Sequence, residues 1–173
     1  MEEAGPRDEL DKLQDKLTKA ASTRGSEGEQ AAEMFIETLI GKPKGQEMKN
    51  LLQVLEEAGH KIKKSSFDRI DSNGNEIDFS DINHLTEIFP QLTFVEIKST
   101  DRDLPDDFTG YFFSVSETEI DASISLGDQY RVLLFSKRTN NYRWTTVSTL
   151  LRRGTSIVWS ASISLGEGLD EEE

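Results

Sequence analysis

A chain of 173 residues with a formal net charge of −13 is long enough to bury one sizeable core and too acidic to coat nucleic acid through clustered lysine and arginine. The absence of cysteine excludes a disulfide framework, a thiolate metal site and a cysteine nucleophile. No apolar run reaches the length of a membrane span, and Met1-Glu2-Glu3-Ala4-Gly5 lacks the basic and apolar parts of a signal peptide, so a soluble intracellular protein, of cytoplasm or nucleus, is expected.

From Pro6 to about Ala21, Leu10, Leu13 and Leu17 recur at helical spacing between charges and predict an amphipathic helix. Such a helix packs on its own domain or offers a protein partner a face, the first being favoured for so short a pattern. Ser26-Glu27-Gly28-Glu29 has capping-box form and opens a second predicted helix, with Ala32, Phe35, Ile36, Leu39 and Ile40 as its buried stripe and Gly41 and Pro43 as its stop. A third helix should start near Gly45, bury Met48, Leu51, Leu52 and Leu55, and end at Gly59.

Lys61 to Ile70 reads as an extended segment that runs into a turn at Asn73-Gly74, with Glu76 to Ser80 returning as the second strand of a hairpin. Asp71-Ser72-Asn73-Gly74-Asn75 lacks the closing glutamate of a calcium loop and is an Asx turn. Asp81 to Phe89 is either a short helix capped by Ser80 or Asp81, or a loop. The central strand follows, Phe94-Val95-Glu96-Ile97-Lys98-Ser99-Thr100. Alternation puts Glu96 and Lys98 on one face and Val95 and Ile97 on the other.

After a polar connection, Tyr111-Phe112-Phe113 is a short buried segment. Ser116-Glu117-Thr118-Glu119 repeats the capping-box form and predicts a helix to Leu126 that stops at Gly127. Tyr130 to Ser136 holds the apolar run of a strand covered on both faces. Tyr142 to Arg153 stays ambiguous, and Ile157 to Ile163 alternates as a last strand. The expected layout is therefore an N-terminal helix and linker over 1–25, a folded domain over 26–165 and an acidic disordered tail over 166–173.

Carboxylates on neighbouring strands can hold a hard divalent ion through oxygen, with water and phosphate filling the other positions, and a nearby ammonium can orient a nucleophile. Glu96 is the candidate ligand and Lys98 the ammonium; the first acid is Asp68 or Asp78. His60 and His84 stand in no recognisable triad or zinc pattern, and Trp144 and Trp159 read as core or edge anchors rather than base-stacking platforms. Lys61, Lys63, Lys64, Arg69, Arg152 and Arg153 serve equally as a phosphate path or as solvated charge.

Helices, three strands, a helix and a strand, with Glu96-Ile97-Lys98 in the central strand, resemble the PD-(D/E)XK nuclease superfamily. The resemblance covers about Ser26 to Ser136 and includes Gly28-Glu29 with Ala32, Phe112-Phe113-Ser114, and Gly127-Asp128-Gln129-Tyr130-Arg131-Val132. It implies a three-layer α/β/α restriction-endonuclease-like core with a mixed central sheet and an extra N-terminal helix. It also implies a metal-dependent endonuclease whose substrate is expected to be DNA, with Mg²⁺ or Mn²⁺ on Asp68 and Glu96, Lys98 assisting the attacking water, and Glu29 as a helper. Asp68 is preferred to Asp78 because Phe-Asp-hydrophobic after a basic strand is the more similar context. The competing expectation is a catalytically degenerate domain of the same fold that binds protein or nucleic acid.

Overall fold

A computed structural model describes Thr23 and residues 25–155 of the chain. The helix expected over residues 6–21, the last strand at 157–163 with Trp159, and the acidic tail lie outside those residues. The described part is mixed α/β, built on a five-stranded mixed sheet in the order β1-β2-β3-β4-β5. Its strands are β1 (Leu39–Gly41), β2 (Arg69–Asp71), β3 (Thr93–Thr100), β4 (Tyr130–Ser136) and β5 (Tyr142–Thr145). Helix α1 covers residues 25–35, followed by α2 (Gly45–Glu57), α3 (Ile82–Ile88), α4 (Glu117–Leu126) and α5 (Val147–Arg153).

Only β3 and β4 run parallel, from Phe94↔Tyr130 to Thr100↔Ser136. A parallel pair requires a crossover, and α4 supplies it. Alternation along both strands divides the core. Phe94, Val132 and Leu134 pack with α2, α3 and α4 residues such as Leu51, Leu85 and Ala122. Val95, Ile97, Leu133 and Phe135 pack against Ala32 of α1 and Leu39 of β1. Helices thus cover both faces of the sheet, which is why β4 is an unbroken apolar run. Gly28 makes the α1 contact possible: a Cβ there would lie 1.8 Å from Ser99 Oγ and 2.4 Å from Ser99 Cβ. No helix among the described residues is long and apolar enough to cross a membrane.

Helix α2, its stop at Gly59 with φ +92°, the Ser116–Glu119 capping box and β4 match their sequence patterns. Asp81 settles the open choice before β3 by capping α3, accepting from the N–H groups of Asn83 at 2.9 Å and His84 at 3.2 Å. The ambiguous stretch after residue 141 divides into β5 and α5.

Four expectations need correction. Ser26 is not an N-cap, since residue 25 is already helical and Glu29 turns its carboxylate to Arg69 instead of back to Ser26. Helix α1 ends at residue 35, and Leu39 and Ile40 enter the sheet opposite Asp71 and Ile70. The hairpin does not form. Asn73 and Gly74 do turn, with φ 50° and 83°, but β2 is paired by β1 on one side and β3 on the other, which leaves no edge for residues 76–80. The Tyr111-Phe112-Phe113 segment is buried only in part: Tyr111 and Phe113 pack against the core, while Phe112 is 78% exposed.

Candidate active site

Glu96 and Lys98 share the face of β3 that carries Phe94 and lies under α4, because the intervening Val95 and Ile97 are committed to the α1 side. The Lys98 ammonium donates to Glu96 Oε1 at 2.8 Å and to Glu119 Oε2 at 2.9 Å. Both pairs are largely withdrawn from water, with Glu96 6% and Glu119 9% exposed. Two carboxylates therefore hold one ammonium between strand and helix.

Asp68 completes the cluster from β2's leading end. The pairing of Arg69 with Val95 and Ile70 with Phe94, extended one residue back, sets Asp68 opposite Glu96. The chain diverges from β3 upstream of Asp68, so the Ile97 N–H has lost its strand partner; Asp68 Oδ2 accepts it at 2.9 Å. The Asp68 N–H donates in turn to the Val95 carbonyl at 2.8 Å. A register slip of one residue would carry Asp68 to the opposite face.

Burial is the main force on Glu96, and the charges of Asp68 and Glu119 add to it against the opposing pull of Lys98. Its carboxyl is pushed up to about 9. Burial works against the Lys98 charge too, but Glu96 and Glu119 outweigh it, and the ammonium is held above its ordinary value.

The other predicted site residues lie elsewhere. Glu29, on the α1 side of the sheet, accepts from Arg69 Nη1 at 2.8 Å, and Glu33 accepts from Arg69 Nε at 2.8 Å. The Glu29 carboxyl is raised, by burial first and then by the charge of Asp68, which links it electrostatically to the cluster. Asp78 is fully exposed and is lowered by its bonds from the Ser80 hydroxyl and N–H. Of the two candidate first acids, Asp68 is the one that stands beside Glu96. His60 Nδ1 lies 3.2 Å from Ser125 Oγ and its ring tilts against Phe89, a packing arrangement.

Three residues at the site escaped the sequence reading. Glu119 was visible only as half of a capping box. Tyr130 donates its hydroxyl to the Ser66 carbonyl, and burial together with Glu96, Glu119 and Asp68 raises it. Lys42 donates to the Phe67 carbonyl at 2.6 Å. Tyr130 and Lys42 together fasten the two residues before Asp68, a long-range contact that no local pattern signals. Compared with family models, curated proteins and solved structures, the chain matches none.

Whether this cluster suits a divalent cation depends on its donors. They are oxygens, the hard ligands that Mg²⁺ and Mn²⁺ prefer. Asp68 Oδ2 and Glu96 Oε1 are bonded to protein donors. Every fully buried side-chain oxygen or nitrogen among the described residues has a hydrogen-bond partner. No group of three histidine or carboxylate side chains among the described residues is gathered to hold a metal. The protein would thus contribute two carboxylates and leave the remaining positions to water and phosphate oxygens, the usual manner of Mg²⁺ binding.

Proposed function

We propose that the chain is a metal-dependent nuclease of the PD-(D/E)XK type that hydrolyses phosphodiester bonds, with DNA as the expected substrate. The observation that carries this reading is the meeting of Asp68, Glu96 and Lys98, with Asp68 opposite Glu96 across two paired strands and the Lys98 ammonium 2.8 Å from Glu96. Helices on both faces of a mixed sheet support the three-layer restriction-endonuclease-like arrangement.

Asp68 and Glu96 would hold Mg²⁺ or Mn²⁺, which when bound lowers the pKa of its water and offsets charge on the phosphate. Asp68 is oriented for this by the Ile97 N–H, and Tyr130 and Lys42 fix the chain behind it. Glu96 would hold the cation as a carboxylate, any proton on it passing to solvent. Lys98 brings N–H donors to the attacking water or to a phosphate oxygen, where an ammonium stabilises growing negative charge. Phosphodiester backbones approach such a site against the chain's net charge of −13, so cation-filled carboxylates are what make the approach favourable.

Thermal melting during Mg²⁺ and Mn²⁺ titration tests the site directly. Saturable stabilisation of roughly 3–4 kcal/mol at a hundred- to thousandfold excess over Kd is expected, and Glu96→Ala should abolish it. No metal response in the wild-type protein would favour the degenerate binding domain instead, a reading supported by the closed ion pairs on Lys98.

A further inference from the structure

We propose that Glu119 is a positioning residue for Lys98, holding its ammonium at the cluster once Glu96 has been engaged by a cation; this role rests on the nuclease reading above. Lys98 has two carboxyl partners, Glu96 at 2.8 Å and Glu119 at 2.9 Å, and its side chain is 12% exposed. A divalent ion on Glu96 would take up that carboxylate's charge and so weaken the first pair. A buried ammonium without a counter-charge is strongly disfavoured, so Lys98 must either leave for solvent or be kept by the second.

Glu119 is built to keep it. Its Oε2 accepts from the Ser116 N–H at 3.3 Å and its own N–H donates to Ser116 Oγ at 3.3 Å, so the carboxylate is fastened to the first turn of α4. The same oxygen receives Lys98. An ordinary capping-box glutamate lies at the helix surface; this one is 9% exposed and reaches over the sheet to a strand residue twenty-one positions earlier. Asp68, the other nearby carboxylate, is committed to the Ile97 N–H. Glu119 therefore ties the position of Lys98 to α4, on the side of the cluster away from β2.

Glu119→Gln separates this role from helix capping, because glutamine completes a capping box as well as glutamate does, while the charge facing Lys98 is lost. Cleavage kinetics and the ¹⁵N-detected ammonium signal of Lys98 should be measured in saturating Mg²⁺, with circular dichroism as the check on α4. The expected result for Glu119→Gln is unchanged helicity, kcat lower by roughly ten- to a hundredfold with KM little altered, and a Lys98 signal broadened by solvent exchange. An active wild type with Glu119→Gln equal to it in kcat and in the Lys98 signal would overturn the positioning role alone. A wild type without cleavage and without any Mg²⁺ response would overturn the nuclease reading and this role with it. Glu119→Ala, which also removes the cap, should be worse than Glu119→Gln in both helicity and rate.

Discussion

Burial, Asp68 and Glu119 oppose the single favourable charge of Lys98 and raise the Glu96 carboxyl well above its ordinary range. Its unfolded value is near 4.5 and its folded value about 9, so between these limits the folded state binds a proton that the unfolded state has released. Stability attributable to Glu96 is thus fully present below about 4.5 and is lost as pH rises towards about 9. Denaturant unfolding of the wild type and Glu96→Gln at a series of pH values checks this: the variant should gain relative to the wild type as pH rises through that window. A difference that does not change with pH would show that Glu96 ionises freely. Asp68 and Asp78 separate at the same scale. Asp68→Asn should lower Mg²⁺-dependent cleavage by about a hundredfold or more, since it removes a charge where charge is needed. Asp78→Asn should leave cleavage within about twofold, as a surface substitution away from the cluster.

Between elements, α1 and β3 meet where Gly28 lies on Ser99. Alanine favours a helix over glycine by about 1 kcal/mol, but a Cβ placed 2.4 Å from Ser99 Cβ cannot be relieved by side-chain rotation. The clash wins, and Gly28→Ala should cost about 1–3 kcal/mol in denaturant melts. Adding Ser99→Gly removes the opposing atoms and should recover most of that loss. Tyr130→Phe should cost roughly 1 kcal/mol for the lost bond to the Ser66 carbonyl, and it should lower cleavage more than stability because the chain leading into Asp68 loosens. Elements with a full period were legible in the sequence: α2 through Met48, Leu51 and Leu55, α4 through its capping box, and β4 through Val132 to Phe135. Strand β1 was not, because three residues carry no period and Leu39 and Ile40 fit a helical stripe equally well. The supposed hairpin after Asn73-Gly74 failed for a non-local reason, the occupation of both β2 edges.

Across the whole molecule, the parallel β3–β4 pair sets the site: β3 carries Glu96 and Lys98, β2 delivers Asp68 to one side, and the crossover helix delivers Glu119 to the other. Glu96 and Lys98 were legible because their two-residue spacing is a property of any strand. Asp68 was legible only as one of two acids, since cross-strand register is not written locally. Glu119 and Tyr130 join the cluster through tertiary contacts alone. The chain's charge of −13 belongs to this scale as well, and nucleic-acid binding without divalent metal should be weak with little salt dependence, because few phosphate-paired cations are available to release counterions.

The most direct test of the Asp68–Glu96–Lys98 cluster as a hydrolytic site is a cleavage assay on single- and double-stranded DNA and RNA with Mg²⁺ or Mn²⁺, comparing wild type, Glu96→Ala and Lys98→Ala. The account predicts metal-dependent cleavage of DNA by the wild type and loss of about a hundredfold or more in each variant. No cleavage of any substrate, or variants as active as the wild type, would contradict it.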